Sequence, residues 1–137
     1  MTQSRRSLIL RADAVLLALF GVFGLAMDLL GYFAGIGAWK DAFLNNPLAV
    51  GAVEAHGLAT ILAMVLLGQA SATDTMRWHW TAIALHGLLA MSNLVFWKAF
   101  IDVGLMPLGV VATTYHALCV LANGAALRLP MTGHTVR

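Results

Sequence analysis

The sequence predicts an all-α membrane protein: an up-down bundle of four transmembrane helices with both termini in the cytoplasm. Three observations carry this. Of 137 residues, 61% are hydrophobic and only 10% charged, with a mean hydropathy of +0.84. Soluble domains carry about 25% charged residues, and a fold so poor in charge could not cover a water-facing surface. The chain also divides into four apolar stretches, each near the roughly 20 residues that a spanning helix needs. Finally, the breaks between them are short and rich in turn residues, which makes successive helices antiparallel neighbours.

The first span runs from Asp13 to about Ile36. Arg5 and Arg6 precede it in the manner of a secretory signal. The apolar run from about Ala12 to Ala38 exceeds a signal-peptide core, however, and no small-x-small site closes it, so a retained span is expected. Lys40, Asp41, Asn45, Asn46 and Pro47 form the first break, and the second span covers about Leu48 to Ala70. Ser71, Thr73, Asp74 and Arg77 form the second break before a third span from Trp78 to about Ile101. Asp102, Gly104 and Pro107 mark the third break, and the fourth span covers about Leu105 to Arg128. With no linker or low-complexity segment, residues 1–137 read as one domain.

Orientation follows from the basic residues. The N-terminal tail, second loop and C-terminal tail hold Arg5, Arg6, Arg11, Arg77, Arg128 and Arg137, against Lys40 and Lys98 on the other side. Trp39, Trp78, Trp80 and Trp97 fall at span ends, where an aromatic belt sits. The pI of 9.1 arises from few charges, and without a Lys/Arg run it gives no nucleic-acid signal. One cysteine, Cys119, excludes an internal disulfide and a thiolate-metal framework, and it reads as a small core residue.

Each span carries ionisable or polar groups on a face of small residues. On the first, Gly21, Gly24, Asp28, Gly31 and Gly35 recur at three- and four-residue steps. Gly31 and Gly35 form a GxxxG pair suited to close helix approach, within the bundle or in a homodimer. The second offers Ala49, Ala52, His56, Thr60 and Ala63, and the third Ala82, His86, Ala90, Asn93 and Trp97. The fourth offers Gly109, Ala112, Thr113, His116, Cys119, Asn123 and Ala126. Glu54 stands about 200° around its helix from His56 and does not share that face. At about 1.5 Å per residue, Asp28, Glu54, His56 and Asn93 fall in the outer half, His116 near the centre, and His86 and Asn123 in the inner half. A spacing of thirty separates His86 from His116 and Asn93 from Asn123, and it reads as one span plus one loop.

Ionisable groups in hydrocarbon cost a few kcal/mol and therefore face the bundle interior, where they usually serve function. The bland alternative is a hydrogen bond that locks helices together, with imidazole as a neutral clasp and Asn93 and Asn123 as helix glue. The seven methionines lack copper-ligand spacing. HExxH, Walker, GxGxxG and GxSxG motifs are absent, and a CxxC pair for quinone chemistry is lacking.

In length, four-span layout and the acidic residue early in the second span (Glu54-Ala55-His56-Gly57-Leu58), the chain resembles the DoxX-like families of small four-helix membrane proteins. It is also similar to the EXPERA family of four-helix sterol isomerases, which carry intramembrane acids on early helices, as Asp28 in Met27-Asp28-Leu29 and Glu54 would be here, with a histidine on a later span.

The leading expectation is a multi-pass protein of the cell membrane that performs cofactor-free acid–base chemistry, isomerisation or cyclisation, on a lipophilic small molecule. Asp28 or Glu54 would act as acid or base with His56 and His116 as partners. His86, Asn93, Trp97 and Asn123 would bind substrate, Asn93 by orienting an oxygen. One alternative is a redox subunit that holds haem or a transition metal through two of His56, His86 and His116. Another is a non-catalytic accessory or small-molecule-binding protein. The bilayer and the lipophilic molecule are the expected partners; nucleic acid is not.

Overall fold

The computed structural model describes residues 5–47, 49–72 and 74–129. Leu48 at the start of the second span, Thr73 in the second break and Arg137 in the tail lie outside the described residues. Every element is a helix: α1 (Arg5–Ala34), α2 (Lys40–Phe43), α3 (Ala49–Gln69), α4 (Met76–Val95), α5 (Trp97–Asp102) and α6 (Met106–Leu127). Three of them, α1, α3 and α6, are long and apolar enough to cross a membrane, which marks a membrane protein. Leu19, Phe23, Met64, Leu121 and many other large apolar side chains are exposed, a surface suited to lipid and not to water. The 20-residue α4 is less apolar because it spends positions on Arg77, His79, His86 and Asn93.

Two boundaries differ from the hydropathy reading. The first helix starts at Arg5 and not at Asp13, so Asp13 lies two turns inside it. The third apolar stretch breaks at Phe96, where α4 ends and the short α5 turns away. The turn brings Phe100 against Gly109 of α6, where a Cβ would meet the ring at 2.8 Å. It also sets Phe100 beside Trp39 and Trp97, with both centroid separations 5.8 Å. Pro107 is tolerated near the start of α6 because first-turn N–H groups have no helical partner.

Side-chain pairs set the directions. Ser7 donates to the Ala70 carbonyl and Arg11 to Ser71, while Gly24 and Asp28 meet His56, so α1 and α3 run antiparallel. His79 meets Asn123 and His86 meets His116, so α4 and α6 are antiparallel as well. Arg6 donates to the carbonyls of Leu127 and Leu129, and Asp13 meets Asn123, which joins α1 to α6 in the same sense. The core at the α1–α3 interface alternates large with small: Leu10, Leu17 and Leu66 among Ala14, Ala59, Ala63 and Ala70, with Ala82 of α4 completing it. Arg5, Arg6, Arg11, Arg77 and Arg128 therefore gather at one end of the molecule, which we call the arginine end.

On the glycine face of α1, Gly21 and Gly24 pack on α3 of the same chain, and Gly31 packs on Phe43 of α2. A Cβ on Gly21 would meet the Thr60 hydroxyl at 2.6 Å and the Thr60 backbone nitrogen at 3.0 Å. Gly35 is not a packing glycine: it lies beyond the end of α1 with φ 62° and turns the chain out of the helix. The GxxxG reading therefore fails at its second member, which is a helix stop. Gly21→Val should overpack the α1–α3 contact and lower stability by about 1–3 kcal/mol. Equilibrium unfolding in mild detergent measures it, with Gly57→Ala as the control because Gly57 faces open space.

Candidate functional site

Helix α1 presents two faces, and each carries one aspartate. At about 100° per residue Gly21 and Asp28 are nearly aligned, and Asp13 lies about 60° around from Asp28. The first face meets α3, and the second is turned toward α4 and α6. The two carboxylates are fifteen residues apart, about 22 Å along the axis.

The assembly farther from the arginine end is a pair. Asp28, 1% exposed, lies with Oδ2 2.5 Å from Nδ1 of His56. The imidazole rests on the bare backbone of Gly24, where a Cβ would fall within 2.5 Å of Nε2. Thr60 donates to the His56 carbonyl at 2.9 Å and braces that turn of α3. The side chain of His56 remains 40% accessible, so the pair has one closed partner and one open one.

The assembly nearer the arginine end joins three helices. Asp13 of α1, 6% exposed, accepts from His86 of α4 at 2.9 Å through Oδ1 and from Asn123 of α6 at 2.6 Å through Oδ2. The Asn123 amide also donates to the Cys119 carbonyl at 3.0 Å, and its oxygen accepts from His79 Nδ1 at 2.7 Å. His86 Nδ1 lies 2.9 Å from His116 Nδ1. His79, His86 and Asn123 are all fully buried. The Tyr115 ring stands perpendicular to His86 at 5.6 Å, packs on His116 at 5.1 Å and meets Phe20 at 4.9 Å, forming an aromatic wall. His116 is half-buried.

Proton positions follow from this connectivity. With Asp13 ionised, His86 donates through Nε2–H and must accept at Nδ1. His116 then donates through its own Nδ1–H, leaving a lone pair on Nε2. Asp28 fixes His56 in the same tautomer. Each acid thus orients an imidazole whose far nitrogen is free to accept a proton, the arrangement of a general base.

Of the residues expected from sequence, Asp28 pairs with His56, and His86, His116 and Asn123 share the second assembly. The contact between His86 and His116 puts them at one depth, where the span midpoints set His116 near the centre and His86 in the inner half. Glu54 is exposed on α3 and joins neither assembly, while Asn93 is half-buried near the far end of α4. Trp97 opens α5 and packs against Phe100. Cys119 is buried as expected, but beside a polar cluster. Sequence reasoning missed Asp13 and His79. Each had a signal: His79 lies seven residues before His86 on the same face, and Asp13 was passed over only because the span was started at it.

Comparison with protein-family models, curated proteins and solved structures finds no match for this chain.

Proposed function

We propose that all four long helices, α4 included, cross the cell membrane as an up-down bundle with both termini in the cytoplasm. We propose further that the protein carries out cofactor-free acid–base chemistry, an isomerisation or cyclisation, on a lipophilic small molecule. The gathering of five arginines at one end supports the orientation. The observation that carries the chemistry is the Asp13–His86–His116 chain, in which a buried carboxylate sets the tautomer of a second imidazole through the first.

In this reading His116 takes a proton from the substrate at Nε2. Its Nδ1 proton shifts toward His86, and the His86 Nε2 proton toward Asp13, so the positive charge formed is spread along two hydrogen bonds and faces a carboxylate. The reverse movement returns a proton at another position of the substrate, which completes an isomerisation without net change. Phe20 and Tyr115 supply apolar wall, and the Asp28–His56 pair is a second proton-handling group toward the other end.

The reaction class can be tested before the substrate is known, because proton transfer at carbon exchanges hydrogen with solvent. Purified protein is incubated with a total lipid extract in D2O, and the extract is examined by mass spectrometry. Wild type should place deuterium at carbon in one class of molecule, and His116→Ala should lose at least about 100-fold of that rate, the usual contribution of a positioned base. No exchange by wild type in extracts of its own host would sink the proposal.

A further inference from the structure

The buried part of the second assembly holds a donor set of which the acid–base reading uses Asp13 and His86 but not Cys119. An oxygen of Asp13, a ring nitrogen of His86 and the Cys119 sulfur all lie within 4.8 Å of one another, and all three residues are buried. We propose that Asp13, His86 and Cys119 form a binding site for a single zinc-type divalent transition-metal ion inside the membrane. The proposal does not rest on the acid–base reading; because metal at Asp13 and His86 puts the His116 proton on Nε2, metal binding and the base form of His116 exclude each other.

Three arguments support it. The first is chemical: carboxylate oxygen, imidazole nitrogen and thiolate sulfur are the ligands that zinc takes, at about 2.0–2.3 Å. Tetrahedral bonds of that length bring ligand atoms within about 4 Å of each other, so the site needs only a small contraction.

The second is electrostatic. Asp13 is buried among imidazoles and an amide, and among the described residues it has no lysine or arginine partner. Arg6 and Arg11, the nearest basic residues in sequence, are committed to carbonyls at the end of α6 and to Ser71. A dication bound by one carboxylate and one thiolate is a neutral unit, which removes the cost of an isolated charge in a low-dielectric layer.

The third is an orphaned group. The Tyr115 hydroxyl is buried with no nitrogen or oxygen partner among the described residues, and its polar neighbour is the Cys119 sulfur. A site with three protein ligands keeps a fourth position, and what fills it would offer this hydroxyl the oxygen or nitrogen partner it lacks.

Binding balances as follows. The Cys119 thiol proton leaves, and the His86 Nε2 proton is replaced by the metal. His86 then carries its proton at Nδ1 and donates to His116 Nδ1, as a metal-bound imidazole does to its outer partner. His116 in turn carries its proton at Nε2, so one proton is released in total.

Cobalt(II) is the probe, since its coordination is visible. The full chain is purified in mild detergent, stripped with chelator and titrated with cobalt chloride, then with zinc chloride in competition. One equivalent should produce a near-ultraviolet thiolate-to-cobalt charge-transfer band and intense visible bands of four-coordination, both abolished by zinc. Cys119→Ala, a small and sterically mild change, should remove the charge-transfer band while circular dichroism is unchanged. Asp13→Asn should weaken cobalt at least tenfold, and His56→Ala should leave it unaltered. Absence of the charge-transfer band in wild type, or its persistence in Cys119→Ala, overturns the site. Loss of cobalt in His56→Ala alone would overturn it too, by placing the ion between His56 and His116. None of these readouts involves turnover, so failure here leaves the deuterium-exchange test standing.

Discussion

Asp13→Leu should be among the most destabilising single substitutions in this chain, and Asp13→Asn should be close to neutral for folding yet abolish the activity. The leucine removes the acceptor for His86 Nε2–H and for the Asn123 amide, both fully buried. A buried donor left without a partner costs about 1–3 kcal/mol. Asn123 keeps its bond to the Cys119 carbonyl, so the sum should be about 3 kcal/mol. The asparagine behaves differently because the network can invert. Its oxygen accepts from Asn123, its amide donates to His86 Nε2, and His86 donates through Nδ1 to His116. Every bond survives, at a cost below about 1 kcal/mol. His116 is then forced into the opposite tautomer, with Nε2 protonated and unable to take a proton. Unfolding in detergent measures the first effect, and the nitrogen chemical shifts of labelled His116 report the tautomer. An Asp13→Asn protein with unchanged shifts and full deuterium exchange would remove the relay from the mechanism.

How much of this was legible in the sequence depends on which periodicity carried it. The polar faces of α3, α4 and α6 follow from steps of three and four residues, and they correctly grouped Thr60 with His56 and both Cys119 and Asn123 with His116. Hydropathy placed α3 and α6 to within a residue at each end, because apolar composition and helix coincide there. At α1 they do not. Charge and hydropathy mark where a helix enters the apolar layer, but helix formation continues outward to Arg5, since Arg, Leu and Ala all favour it. Asp13 looked like the edge and is in fact interior.

The thirty-residue spacing held more than one span plus one loop. In an antiparallel pair, partners lie at equal distances from the turn. His86 with His116 and His79 with Asn123 are both centred on residue 101, in α5. The same spacing between Asn93 and Asn123 has a different centre and makes no contact. What the sequence withheld was the lateral offset: that α1 turns one aspartate toward α3 and the other toward α4 and α6 depends on how the two helix pairs are placed, which no one-dimensional pattern contains.

The Asp28–His56 pair should show a strongly asymmetric double-mutant cycle. Removing His56 as leucine leaves a carboxyl that is 2% accessible with no other side-chain partner among the described residues, which should cost about 3 kcal/mol. Removing Asp28 as leucine leaves an imidazole that is 40% accessible and can find another partner at the open side, so about 1 kcal/mol is expected. The double leucine variant has no orphan and gains apolar contact with Gly24 and the neighbouring turns, so it should lie within about 1 kcal/mol of wild type, as buried pairs replaced by apolar groups often do. The coupling energy is then about 3–4 kcal/mol, measurable from four unfolding curves. Equal and additive single costs would mean that the two side chains do not act as a pair. The double variant also separates the two meanings of a buried ion pair in a membrane. A clasp that only holds α1 to α3 is replaced by leucines without loss, whereas a proton-handling pair is not. Recovered stability with lost deuterium exchange would therefore assign Asp28 and His56 to the chemistry, and recovery of both would confine the chemistry to Asp13, His86 and His116.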